Sequence, residues 1–353
     1  MTDCFDRRDF LTASLLGAAG AVFVGSVAAC NGGGSRTTCN RQVGDAHAGS
    51  VLALAVDGSG ALLASGGGDT LIKLWRLPDG ALLSTLAGHM GKVSALAISP
   101  GGTLLASGSS DNTVKVWSLA DGALLSTLAG HSGAIAGVAF SPDGQMLASG
   151  SADATIKLWN LADGSLLATL AGHTLAVHAI ALSPDGTFLI SSSEDNTMNV
   201  WSLPAGGLLG SIPTVPGWVA SLALSADGTL MVTGGADAAV VLWSMPDATK
   251  TRTLKWHTQE VASVAMSPDK SLLASGSQDT TINLWRASSG ARLKTVLDHS
   301  GSVNALVISP DGQLLVSGSS DRSIRLWRLP DGRYVGSASD PALPVQVVVS
   351  FSC

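Results

Sequence analysis

The stretch Leu104-Leu105-Ala106-Ser107-Gly108-Ser109-Ser110-Asp111-Asn112-Thr113-Val114-Lys115-Val116-Trp117 decides how this chain folds. It reads as an apolar run, a turn at Asp111-Asn112, and an alternating run that ends on a tryptophan, the pattern of two antiparallel strands joined by a hairpin. Outward from it, Val93 to Ile98 is another short apolar run and Ser99-Pro100-Gly101-Gly102 supplies turn chemistry. On the other side Ala120-Asp121-Gly122 leads into a last run from Ala123 to Leu128. The segment therefore predicts four short antiparallel strands. One such sheet has two apolar faces and cannot bury either of them alone.

The unit recurs along the chain. Seven of the nine tryptophans, Trp75, Trp117, Trp159, Trp201, Trp243, Trp285 and Trp327, are spaced 42 residues apart. An aspartate stands six residues before each, and a serine or threonine four residues before that aspartate. Histidine stands 28 residues before the tryptophan in six units, and the fifth has Val215 there. A fixed period of this length marks stacked repeats, and four-stranded units that must bury both faces close radially into a propeller. The Gly88-His89 and Gly130-His131 pairs before a first strand, the hairpin aspartate and the tryptophan ending the third strand resemble the WD-repeat β-propeller family. The resemblance spans 47–340 and implies an all-β, seven-bladed β-propeller of four-stranded antiparallel blades. Each tryptophan is followed by Arg, Ser or Asn instead of the aspartate that names the family.

His89, Ser107 and Asp111 in one unit invite a hydrolase reading. Yet the set recurs in six units, whereas a nucleophile needs one oxyanion hole and one substrate pocket. The resemblance implies instead a structural network in which Asp111 and Ser107 hold His89, and His89 reaches the Trp117 indole. Without its histidine, the fifth blade is expected to be the least stable and Asp237 the least satisfied of the aspartates. There is no HExxH, GxSxG or phosphate-loop motif, and the four cysteines form no CxxC or Cys/His cluster. The sequence thus assigns no catalytic residue, no cofactor and no metal. At 353 residues the chain is long for one globular core, which the repeats explain. Its net charge of −6 and lack of any basic stripe argue against nucleic acid as a partner.

In the family, one rim is supplied by the residue before each hairpin aspartate and by the start of the innermost strand. Here most of these positions are small. The exceptions are Glu194, Trp218, Glu260 and Gln278, joined by His178, the one histidine out of register. These five are the partner-binding candidates, with Trp218 expected as an exposed anchor for a peptide or a basic partner. The other reading of Trp218 is that it folds over the irregular fifth blade. The function expected is a non-catalytic, monomeric scaffold for protein–protein contacts. The alternative is an envelope enzyme or small-ligand binder that uses the central channel, signalled by convergent carboxylates or histidines.

Residues 1–29 read as an export signal: Arg7-Arg8 before Phe10-Leu11 resembles the twin-arginine type, followed by an uncharged Ala- and Gly-rich stretch. Val27-Ala28-Ala29-Cys30 resembles a bacterial lipobox, which implies lipidation of Cys30 and a Gly-rich tether over 30–46. The expected location is a bacterial cell envelope, with attachment through lipid rather than a spanning helix. A transmembrane anchor, or cleavage to a free soluble protein, are the competing readings. Residues 341–353 hold a spare β-favouring run from Val345 to Phe351, free to take a fourth-strand position or to cover an edge. Either placement allows a disulfide between Cys39 and Cys353, equally balanced by two unpaired thiols.

Overall fold

A computed structural model describes residues 29–31, 38–214, 217–343 and 345–352. In the second repeat the strands are Val93–Ile98, Leu104–Ser109, Thr113–Ser118 and Leu124–Ala129, paired in chain order and within a residue or two of the bounds expected. Seven such four-stranded sheets make the propeller, each built from strands contiguous in sequence. The two middle strands are the most buried because both of their faces meet neighbouring blades. In this blade the innermost strand carries a bulge just after Val93, and the fourth strand another opposite Trp117. Both irregularities recur at the matching residues of the other blades. A bulge adds local twist, which these short blades need to fan around an axis.

The core lies between blades. Val93, Leu105 and Trp117 of the second blade pack with Ala64, Ile72, Leu74 and Leu86 of the first. In six of the seven seams one glycine sets how closely the sheets approach: a Cβ on Gly66 would sit 2.7 Å from Val93 Cγ1. The same contact closes the ring, since a Cβ on Gly318 would sit 2.6 Å from Val51 Cγ1 of the first blade. The fourth blade has Ser192 at this position, fully buried with its hydroxyl unpartnered.

Closure therefore uses packing, not a shared strand. The seventh blade is complete, with Val303–Ile308, Leu314–Ser319, Ile324–Arg328 and Arg333–Ala338. The first is complete too, from Val51–Val56 to Ala81–Leu86. Across the seam Lys73, buried to 2% exposure, pairs with Asp340 at 2.6 Å and donates to the Ala46 carbonyl at 2.8 Å. Asp340 stands one period after Asp298, which pairs with buried Arg325 at 2.8 Å in the seventh blade. The chain thus runs one position into an eighth repeat to supply a counter-ion to the first. Backbone bonds from Asp340 to the Asp45 carbonyl and from Ala46 to the Arg322 carbonyl, each 2.9 Å, fasten the two chain ends together.

Outside the ring, Ala29–Asn31, Thr38–Gly44 and Val345–Ser352 form a three-stranded sheet with Thr38–Gly44 in the middle. Within the segment expected as a tether over 30–46, Thr38–Gly44 is a strand because Val345–Ser352 gives its backbone a partner, while the Gly-rich residues 32–37 lie outside the described residues. The C-terminal run does not enter the seventh blade, whose fourth place is already filled. The register sets Cys39 opposite Phe351 and Cys30 opposite Cys39. Cys353 and the export segment through residue 28 lie outside the described residues. Among the described residues no helix is long and apolar enough to cross a membrane.

Asp340→Ala strands a buried ammonium and is expected to cost about 3 kcal/mol or more in urea unfolding. Lys73→Met in the same chain is expected to recover most of that loss. A single mutant within about 0.5 kcal/mol of the parent would mean that the seam does not depend on this pair.

Candidate functional site

In the second blade His89 comes from the loop before the innermost strand, Ser107 from the second strand and Trp117 from the third, while Asp111 sits in the hairpin between those two. His89 Nδ1 lies 2.8 Å from Asp111 Oδ2, and Nε2 lies 2.7 Å from Ser107 Oγ. A carboxylate only accepts, so Nδ1 carries the proton and neutral Nε2 accepts from the serine hydroxyl. The Trp117 indole N–H donates to Ser107 Oγ at 2.8 Å. The indole therefore reaches the hydroxyl and not the imidazole, which corrects the sequence reading. A serine oxygen can accept from the indole while its proton serves the ring, and the two rings meet edge to face at 6.3 Å. Asp111 is filled by the Met90 amide at 2.9 Å, the Thr113 amide at 3.0 Å and the Thr113 hydroxyl at 2.6 Å.

The histidine-bearing blades repeat this geometry, with histidine–aspartate distances of 2.8–3.0 Å and histidine–serine distances of 2.7–2.9 Å. Ser107 is fully buried and its oxygen is engaged by the indole, so no substrate carbonyl can reach it. Burial lowers the His89, His131 and His299 pKa values, against the pull of their aspartates. Burial would raise the Asp153 carboxyl, but bonds from Thr155, His131 and the Ser132 amide outweigh it and hold it at about 2.

The fifth blade departs from this. Trp243 still donates to Thr233 Oγ1 at 2.9 Å, but Asp237 accepts only the Ala239 amide at 3.1 Å among the described residues. Ala239 stands where five other blades carry a threonine or serine, so this aspartate lacks both the histidine and the hydroxyl partner. Asp237 is thus the least satisfied of the set, as expected from Val215, which itself lies outside the described residues. A cavity of about 320 Å³ opens here, lined by Thr214, Thr233, Asp237 and Trp243 among others. A Cβ on Gly235 would collide with the Trp218 carbonyl oxygen, so glycine is required where most blades carry serine.

The rim residues of the two sequence sets are hydrogen-bonded to one another, for example Ala236 N to Trp218 O at 3.1 Å, Glu194 N to Ala176 O at 3.0 Å and Gln278 N to Glu260 O at 3.0 Å. Trp218 is half-buried, not the freely exposed anchor expected, because it stacks on His178 with ring centres 6.1 Å apart and 21° between planes. His178 Nε2 lies 3.1 Å from Glu194 Oε1, and that carboxylate is 44% exposed. Gln278 Nε2 donates to Glu260 Oε2 at 3.1 Å. The five candidates therefore form two groups, Trp218–His178–Glu194 across the fourth and fifth blades and Glu260–Gln278 on the sixth.

His178 also belongs to the wall of the central channel, at the position held by Leu52, Ser94, Ala136, Ala220, Ala262 and Asn304 in other blades. The lining residues include that one histidine and no carboxylate. Among the described residues no group of three or more His, Cys, Asp or Glu is placed to hold a metal ion. Sequence reasoning missed Trp256, which is 56% exposed with the Arg292 guanidinium 3.6 Å over its ring. Its signal was available: a tryptophan stands where Gly88 and Gly130 precede their histidines.

The model of the family described as WD domain, G-beta repeat, matches residues 38–76, 80–118, 122–160, 164–202, 209–244, 248–286 and 290–328. No curated protein matches the chain.

Asp111→Ala removes four bonds at once and is expected to cost about 3 kcal/mol, whereas Asp237→Ala is expected to cost less than about 1 kcal/mol. Urea unfolding of the two variants checks this, and equal losses would deny that the fifth network is broken. The lowered histidines favour the neutral form when folded, so their contribution is present above roughly pH 6.5 and declines as pH falls below it. The lowered aspartates contribute above roughly pH 4 and lose that contribution as pH falls toward 2. The urea midpoint is therefore expected to drop in two stages on acidification, and a midpoint flat from neutral to about pH 4 would contradict the buried neutral imidazoles.

Proposed function

This chain belongs to the WD-repeat (WD domain, G-beta repeat) family, and from that premise we propose that it is a non-catalytic scaffold that presents one rim of its propeller to another protein or peptide. Family members generally mediate contacts between proteins. The observation that carries the reading is the Trp218–His178–Glu194 group, an aromatic pair with a free carboxylate edge on a rim that is otherwise mostly Gly, Ala and Ser. Half-buried tryptophan supplies contact area at low entropic cost, and carboxylates on both sides, one exposed and one half-buried, select a basic segment. Glu194 is one of these and Glu260 the other. The overall charge of −6 favours the same kind of partner.

The twin-arginine-like and lipobox-like residues support a place at a bacterial cell envelope, with the mature chain beginning at a lipidated Cys30. A monomer held by acyl chains would display its rim to neighbours in the same membrane plane. Channel chemistry finds little support, since its wall offers one imidazole and no carboxylate.

Crosslinking and capture from intact membranes tests both parts. Trp218→Ala and Glu194→Lys are each expected to lose the captured partner while the unfolding temperature moves by less than about 2 °C. Retained capture with a large loss of stability would reassign Trp218 to covering the fifth blade. Cys30→Ser is expected to move the protein from the membrane pellet to the soluble fraction, and a variant still sedimenting with membranes would refute the lipid anchor.

A further inference from the structure

We propose that the outer edge of the fifth and sixth blades is a docking surface for an anionic lipid bilayer. The first strand of each blade lines the channel, so the fourth is the outermost, and it is largely exposed. In blades one to four these strands, Ala81–Leu86, Leu124–Ala129, Leu166–Ala171 and Leu208–Pro213, contain no charged residue. Thr249–Lys255 and Ala291–Val296 of the next two blades carry Lys250, Arg252, Lys255, Arg292 and Lys294. Lys250 lines the fifth-blade cavity, which leaves four exposed cations for the outer edge. Among the described residues none of the four pairs with a carboxylate. Arg252 donates to the Ser288 and Ser289 carbonyls at 2.9 and 3.0 Å, and Lys294 to the Asp331 carbonyl at 2.8 Å. Those carbonyls fix where the cations sit and leave their charge uncompensated. Asp247 is the one carboxylate between 246 and 256, none stands between 286 and 297, and the Asp331 carboxylate is taken by Arg328. The sequence shows no basic run because two strands 42 residues apart supply the cations, spaced by threonine and leucine.

Apolar side chains stand among these cations. Trp256 directly follows Lys255, is 56% exposed, and has the Arg292 guanidinium 3.6 Å over its ring. That stacking, with the bonds from Arg252, joins the outer strands of the two blades into one surface. Leu293 and Leu297, on either side of Lys294, are 39% and 67% exposed. An acidic protein or a nucleic acid would answer the charges, but a layer of carboxylates or phosphates offers exposed leucines nothing. A bilayer interface answers both. Anionic headgroups attract the lysines and arginines, a tryptophan with its apolar ring and single N–H settles at headgroup level, and leucine reaches the acyl boundary. The proposal does not need lipid at Cys30. On a chain that carries acyl groups, the same cations would set which side of the ring lies against the membrane.

The test is sedimentation of the full chain with phosphatidylcholine vesicles made with and without phosphatidylglycerol, in a Cys30→Ser background that cannot be acylated. Binding is expected to be tighter to the anionic vesicles, by a margin that shrinks as salt is raised. Lys255→Gln with Arg292→Gln is expected to weaken anionic binding about 25-fold, about fivefold for each charge. Lys92→Gln, which removes an exposed cation of the second blade, is expected to change it less than about twofold. Residues 1–46 are common to all these chains, so the differences report the blades. The tryptophan emission is expected to move to shorter wavelength on anionic vesicles, and Trp256→Phe to abolish that movement. Unfolding temperatures within about 2 °C of the parent would show that the variants are folded. A double variant that binds as tightly as its parent, or a loss of equal size from Lys92→Gln, would overturn the proposal. Binding to soluble polyglutamate without binding to anionic vesicles would overturn it too, and would give the surface to an acidic protein.

Discussion

A tryptophan indole packed between sheets carries an N–H that must find an acceptor away from water. Here that acceptor is a serine or threonine hydroxyl from the neighbouring strand, in all seven blades, at 2.7–2.9 Å. The hydroxyl is then available to fix an imidazole, and the imidazole to fix a hairpin carboxylate. One requirement of a buried side chain thus ties a loop, two strands and a hairpin into one rigid unit. Because the loop runs from one blade to the next, the same network sets where the following blade begins. The lowered histidine titration marks its shielding from water, and the lowered aspartate titration marks how fully its oxygens are hydrogen-bonded.

Radial order depends on a second, steric constraint. Glycines such as Gly66 and Gly318 let a valine of the next blade approach within van der Waals contact, and the last blade meets the first through the same contact. Closure without a shared strand leaves both chain ends free to do something else. They pair with each other in a separate three-stranded sheet, while Lys73 and Asp340 hold the seam they leave behind. The terminal strands therefore lie outside the repeat and owe it only their position.

Repetition also shows where the chain is free to vary. The fifth blade lost its histidine, its aspartate's hydroxyl partner and the usual serine before that aspartate, replaced by Gly235. These losses coincide with the one rim position that carries a tryptophan. Trp218 lines the cavity of the irregular blade and stacks on the preceding blade's out-of-register histidine, while part of it stays open to the rim. The two roles that the sequence left as alternatives are geometrically compatible.

The sequence alone determined the seven four-stranded units, their boundaries and the membership of the hydrogen-bond network, because a 42-residue period repeats every decision seven times. It also marked Asp237 as the aspartate left short, since the missing histidine is visible as a break in that period. Tertiary structure alone decided that the indole bonds to the hydroxyl, because which of two neighbouring groups the N–H meets depends on how the side chains are oriented in the packed blade. It decided that Trp218 is half-buried, because exposure depends on a histidine 40 residues away in the chain. It decided, too, that Val345–Ser352 pairs with Thr38–Gly44, since strand partners far apart in sequence carry no periodic signal. Repeated local contacts are written many times and can be read from residues, whereas a contact made once is settled only by where the folded elements come to lie.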